Sequence, residues 1–462
     1  MACVALALTP LSVAPAHAQV DPADVGPPPV DTALRPSTIA PAPPTATVLA
    51  RPCTAASTGA AGSAATSPIT SAPWAQVQLG YERVWKFGTG AGQRVAVIDT
   101  GVNPHPRLAV IAGGDYVDRA GNGISDCDAH GSIVASIIAA KPSPADPTGY
   151  AGVAPDAQIL SIRQYSARYQ QAGPPPGGAP VLGYGNVATL GAAVVWAADN
   201  GATVINISEV ACGPAGVALP QDGTLGAALQ YAVDVRDVVV VVAAGNVVPG
   251  TECGTQNDPS GVPPTVSTVA SPAWYADLVL TVGSVESDGS PSSFSLAGPW
   301  VDVAAPGSQI VALNPVAGPP LIDLLVEPGA VTPIQGTSFA APYVAGTVAL
   351  VRQRFPGLTA REVMARITAT AQAPPQGWNP RVGYGVLDPV AAVTDVLPAA
   401  VAPQPVSTAS TRLAPLPQAP VPDTTPRRVA LLGSAAVLGG VLVVFAMLDA
   451  VRRARRQSAD PP

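Results

Sequence analysis

Few residues in this chain can move a proton near neutral pH. Of its three histidines, His17 falls in the first eighteen residues, which read below as a cleaved leader, so His105 and His130 remain. His105 stands between two prolines in Asn-Pro-His-Pro, a turn that suits a solvated side chain. His130 opens the stretch His-Gly-Ser-Ile-Val-Ala-Ser-Ile-Ile-Ala, where Gly131 allows another backbone or a ligand to approach closely. A histidine at a helix start is ordinarily a capping or packing residue, and what singles this one out is its company. Asp99 ends Arg-Val-Ala-Val-Ile-Asp and is followed by Thr100 and Gly101, so its carboxylate emerges where a strand stops; alone it could cap a turn. Ser338 lies in Gly-Thr-Ser-Phe-Ala-Ala-Pro at 336–342, and alone it reads as an ordinary N-cap, with Pro342 in the first helical turn. Asn246 follows Val-Val-Val-Ala-Ala-Gly, directly after another apolar run. Together these residues supply a nucleophile, a base, an orienting acid and an amide donor.

Such a set works only if elements far apart in sequence bring it together. Short β-branched runs at 94–99, 159–163, 203–208, 238–243, 279–282 and 301–304 read as strands buried on both faces. Helical patterns at 130–140, 187–200, 224–236, 338–354 and 359–371 fall between or after them. The alternation predicts an α/β fold, a mainly parallel sheet with helices on both faces, whose sites gather at the C-terminal ends of strands. Three Pro- or Gly-rich connections, near 164–186, 247–277 and 311–333, are long enough to face substrate or partner.

Composition sets the remaining bounds. Residues of the hydrophobic class make up 48% and charged ones 11%, which excludes a wholly disordered chain despite 45 Gly and 54 Pro. The excess proline concentrates at 19–73 and 399–428, which read as extended, poorly packed segments flanking a body at 74–398. Net charge is −7, yet the last 36 residues carry six arginines against two aspartates, leaving −11 on the rest. An acidic body speaks against nucleic acid as a partner. Residues 1–18, ending Ala-His-Ala, resemble a signal peptide without the usual basic start. Residues 429–448 carry no charge and are long enough for a transmembrane helix; the arginines of 449–462 place that tail in the cytoplasm and the body outside. Removal of the leader takes Cys3 and leaves Cys53, Cys127, Cys212 and Cys253, an even number suited to an oxidising compartment. Of the three pairings possible, Cys53–Cys127 with Cys212–Cys253 is preferred.

The joint pattern resembles the subtilisin-like serine proteases over residues 74–397. It rests on Val-Ile-Asp-Thr-Gly at 97–101, His-Gly-Ser-Ile-Val-Ala at 130–135, Ala-Gly-Asn at 244–246 and the 336–342 motif, in the order of that family. Ser132 stands where the family commonly has Thr. A sedolisin-type Ser-Glu-Asp arrangement is opposed by Asn246 and the His130 motif. The resemblance implies Ser338 as nucleophile, His130 as base, Asp99 as its orienting acid, and the Asn246 amide with the Ser338 N–H as oxyanion hole. It also implies that the segment Asn206, Ile207, Ser208 lines the first specificity pocket. Family domains often bind calcium, but no dense acidic cluster marks a site, so no metal and no cofactor are expected. The whole layout, with Cys127 three residues before His130, is similar to the mycosins, membrane-anchored proteases associated with type VII secretion systems. That resemblance implies an N-terminal arm tied to the catalytic domain by a disulfide and not removed as a conventional pro-region. It further implies secreted proteins as substrates and support of the secretion membrane complex.

Overall fold

The computed structural model describes residues 25–54, 69–173, 183–217, 219–259, 265–316, 320–327, 330–397 and seven helical positions between 443 and 451. The chain divides into two compact units, Met1–Pro403 and Gln404–Pro462. Residues 1–18 and most of 429–448, read as leader and membrane helix, lie outside the described residues. Among the described residues no helix is long and apolar enough to cross a membrane.

The β-branched runs become one seven-stranded sheet. Its strands in chain order are β1 (Arg94–Asp99), β2 (Val110–Asp115), β3 (Gln158–Arg163), β4 (Val204–Ile207), β5 (Val239–Ala243), β6 (Leu280–Val285) and β7 (Val303–Pro306). They lie in the order β7-β6-β5-β4-β1-β3-β2, and every neighbouring pair is parallel. β4 to β7 are buried at every position, as expected of strands covered on both faces. Five helices matter to the site: α1 (His130–Ala139), α2 (Val187–Asp199), α3 (Asp222–Gln230), α4 (Thr337–Arg354) and α5 (Ala360–Ala369). α1 packs on α4, and α2 packs on α3. α4 also runs against β4, β5, β6 and β7, which is why its sequence is apolar nearly all round and sixteen of its eighteen residues are buried.

The N-terminal arm is extended, as its composition predicts, but the described part is bound to the body along its length. The Arg35 guanidinium stacks 4.3 Å over the Tyr231 ring, and Thr47–Leu49 pairs antiparallel with Tyr169–Gln171. Cys53 is bonded to Cys127, and the Thr54 N–H donates to the Cys127 carbonyl at 2.7 Å. The second disulfide joins Cys212 to Cys253. Replacing Cys53 and Cys127 together by Ser releases a closed loop spanning 74 residues, and is expected to lower unfolding free energy by about 2–5 kcal/mol. A urea midpoint unchanged from wild type would count against a stabilising bridge.

Each long connection contains short strands that its composition did not announce. Thr268–Ser271 pairs with Ala211–Pro214, and the third connection holds two small antiparallel pairs, Ala312–Leu313 with Leu321–Ile322 and Leu324–Glu327 with Ala330–Pro333.

Candidate active site

Asp99 is the last residue of β1 and is fully buried. Its Oδ1 accepts the Thr100 N–H at 2.7 Å and faces His130 Nδ1, also at 2.7 Å. His130 is the first residue of α1, and α1 can come this close only because residue 131 is glycine. A Cβ there would sit 2.2 Å from the Gly101 carbonyl oxygen. The strand end and the helix start are stitched together by Asp126. Its carboxylate accepts from the Thr100 hydroxyl at 2.9 Å and from the Ser132 N–H and hydroxyl at 2.8 and 2.7 Å. Ser132 in turn accepts the Asn103 N–H at 2.9 Å, so its hydroxyl is fully used, and nothing in this network calls for a methyl group. Burial pushes the Asp126 carboxyl up to about 7 against these hydrogen bonds.

Electrostatics favour a proton on His130. Burial pulls its pKa down, but the charge and hydrogen bond of Asp99, with Glu209 and Asp126 behind them, outweigh burial and push it up to about 10. Its side chain is 21% exposed, so one edge of the ring remains open to an incoming group. His105, by contrast, sits in its loop accepting the Arg107 N–H at 3.1 Å, its pKa lowered by burial and by Arg107.

Ser338 is not the N-cap. Gly336 holds that place at φ 148°, a left-handed-side conformation that suits glycine, and Ser338 is the second residue of α4. Its hydroxyl is therefore not committed to capping and donates to the Ser208 carbonyl at 3.1 Å. The pairing is reciprocal, because the Ser208 hydroxyl donates to the Ser338 carbonyl at 3.0 Å and accepts from Asn206 Nδ2 at 2.9 Å. Phe339, next in the helix, packs its ring 5.0 Å from the His130 ring, which brings the start of α4 to His130. Asn246 follows β5. Its Oδ1 accepts the Thr337 N–H at 2.9 Å and the Thr337 hydroxyl at 3.1 Å. With the oxygen held, the amide orientation is set and Nδ2 is left as the donor, beside Gly336.

Asp99, His130, Asn246 and Ser338 therefore meet at the C-terminal ends of β1 and β5 and the N-termini of α1 and α4. A cleft of about 490 Å³ opens nearby, lined by Tyr165, Val187, Leu190, Glu209 and Val210 among others. No described arm residue lines it. Nor do Asn206 and Ser208: Ser208 touches Ser338 directly, and Asn206 supports Ser208 from the sheet. Sequence reasoning passed over Thr100, Asp126, Thr337 and Glu209. For Glu209 a signal existed, since it follows a buried strand as closely as Asn246 does.

If Asn246 donates to the oxyanion, Asn246→Leu is expected to lower kcat for peptide hydrolysis by about 10²–10³ with little change in KM, the scale known for an oxyanion-hole amide in a subtilisin. Steady-state kinetics check it, and an equal rise in KM would assign Asn246 to ground-state binding instead.

The chain matches the subtilase family over residues 90–385. It is 46% identical to Mycosin-4 of Mycobacterium tuberculosis over 439 residues, covering 94% of this chain and 91% of that protein. Among solved structures it is similar to a crystal structure of MycP1 from the ESX-1 type VII secretion system, with a TM-score of 0.72, 43% identity and coverage of 81% of this chain and 97% of that one. It is also similar to a chain of an intact ESX-5 inner membrane complex, with a TM-score of 0.73, 37% identity and coverage of 92% and 100%. A family match spanning the sheet and every residue of the site, with near-half identity to a mycosin along almost the whole chain, means that the chain belongs to the subtilases and, among them, to the mycosins.

Proposed function

We propose that this chain is a membrane-anchored serine endopeptidase that cleaves secreted proteins beside a type VII secretion complex. The observation that carries the chemistry is the His130–Asp99 hydrogen bond at 2.7 Å, with Ser338 free of capping duty in the adjoining helix. In the deprotonated ring that acts as base, Asp99 holds the remaining proton on Nδ1, so Nε2 carries the lone pair. Ser338 exchanges its hydrogen bond to Ser208 for one to Nε2, loses its proton to the imidazole and attacks the peptide carbonyl. The oxyanion that forms is met by Asn246 Nδ2 and the Ser338 N–H, at the positive end of α4. His130 then returns the proton to the leaving amine, and water repeats the sequence on the acyl-enzyme.

Placement follows from the ends of the chain. A leader at 1–18, a membrane helix at 429–448 and the arginine-rich 449–462 put the catalytic body on the extracytoplasmic face and the C-terminus in the cytoplasm. The similarity to a chain of an ESX-5 inner membrane complex, over 92% of this chain, supports its place at the membrane. The same similarity favours a second reading, in which the protein is a structural subunit of the membrane complex and proteolysis is secondary.

Complementation of a deletion strain with Ser338→Ala separates the two. Lost secretion assigns the essential role to proteolysis, whereas restored secretion with uncleaved substrate assigns it to the complex.

A further inference from the structure

Glu209 directly follows the segment that contacts Ser338, and the chemistry above makes no use of it. Its Oε1 lies 3.8 Å from His130 Nδ1, the ring nitrogen that Asp99 meets at 2.7 Å. The two carboxylates differ in setting. Asp99 is fully buried and hydrogen-bonded, whereas the Glu209 side chain is 29% exposed and lines the cleft. Asp99, His130 and Glu209 are, among the described residues, the one group of three such side chains close enough to share a cation. The cation already at hand is the imidazolium.

Other charges around the pair act in the same direction or are offset. Asp126 faces His130 from the loop before α1, and Asp128 faces both His130 and Glu209. Asp128 is itself engaged by the Ser166 hydroxyl and the Ala167 N–H, with Arg168 Nε at 3.8 Å. Tyr165 faces Glu209 across the cleft, with Arg51 acting on it from the arm. Burial pushes the Glu209 carboxyl up to about 7, with His130 holding it down and Asp99 and Asp128 adding to the rise. Such a pair titrates jointly.

We propose that Glu209 is a positioning residue for the base: acting through His130, its carboxylate stabilises the imidazolium at rest and in the transition state, and so trades activity on the acid side of the His130 titration for turnover on the plateau above it. This rests on His130 serving as base to Ser338. The sign follows directly. Removing a negative charge beside the ring makes the imidazolium easier to deprotonate, so the acid limb of activity moves to lower pH. The plateau at high pH falls, because the imidazolium formed during attack has lost a partner.

The test uses the full-length chain in detergent and the rate at which a fluorophosphonate probe labels Ser338, measured across pH. A parallel measurement follows the imidazole resonances, which are easily assigned with so few histidines. Glu209→Gln is expected to move both the labelling midpoint and the His130 titration down by about one unit, the low end for opposite charges at this separation given partial exposure. At one unit below the wild-type midpoint, the deprotonated fraction of His130 then rises roughly fivefold, and labelling rises by less than that because the plateau is lower. Glu209→Asp should fall between the two, and it serves if the Gln variant does not fold. Wild-type midpoints in both variants overturn the proposal. Equal labelling of wild type and Ser338→Ala would instead overturn the assignment of the nucleophile, while the His130 titration still judges Glu209.

Discussion

Replacement of Ser338 by Ala is expected to lower kcat for peptide hydrolysis by about 10⁶-fold, the scale known for the nucleophile of a subtilisin, a relative of this chain. The size of the loss follows from what remains. With Asn246 and the backbone N–H at 338 as the proposed oxyanion hole left in place, a residual rate over uncatalysed hydrolysis of about 10³–10⁴ is expected to persist. The neighbouring hydroxyls do not stand in: that of Ser208 is spent between Asn206 and the Ser338 carbonyl, and that of Thr337 donates to Asn246 Oδ1. The fold should tolerate the change. Ser338 caps nothing, and the one hydrogen bond lost, to the Ser208 carbonyl, is worth about 1 kcal/mol. A variant with wild-type melting and wild-type KM but a kcat lowered by about this factor therefore supports the assignment. Cleavage at the wild-type rate refutes it, and loss of activity together with loss of folding calls for Ser338→Cys, which keeps a nucleophile in place.

Removing the carboxylate of Asp99 is the second large effect, about 10⁴-fold in kcat for Asp99→Ala, again on the scale known in a subtilisin. Asp99 Oδ1 serves two donors at once, the Thr100 N–H and His130 Nδ1. Alanine leaves the first without an acceptor and releases the second, so the ring loses its tautomer, its orientation and the charge that stabilises the imidazolium. With that charge gone the His130 pKa falls, and the acid limb of the residual activity moves to lower pH. The loss should be smaller than for Ser338→Ala, since the base remains present though badly held. A residual activity with an unmoved acid limb would show that Asp99 does not act through His130.

Much of this arrangement was legible before any coordinates. The strands at 94–99, 159–163, 203–208 and 238–243 were readable because burial on both faces demands uninterrupted β-branched residues, and their observed ends lie within two residues of expectation. Val110–Asp115 escaped notice for the opposite reason. It is an edge strand, only partly buried, with a register shift at Ala112 to Gly114, and its short apolar run at 108–112 gives way to Gly113 and Gly114, which read as a loop. The helix expected at 224–236 begins at Asp222 and passes at Tyr231 into a single wide turn, a change that propensity does not encode. Among site residues, Asp99, His130, Asn246 and Ser338 announced themselves by sitting where elements end. Thr337 and Asp126 did not, because their roles depend on partners dozens of residues away: Thr337 on Asn246, and Asp126 on Thr100. The arm was legible as extended, but its attachment depends on strand pairing with Tyr169–Gln171, whose residues carry no marking for it.

The bond between Cys53 and Cys127 turns the chain between them into a closed ring. A single cut anywhere from residue 54 to 126 opens that ring without producing two molecules, because each side of the break stays covalently joined through sulfur. A protease that shares its compartment with other proteases, or that attacks its own loops, can thus be nicked there and still keep its arm seated and its base tethered to β1. The nick becomes visible only once the disulfide is reduced, so an electrophoretic gel run without reductant would report an intact protein.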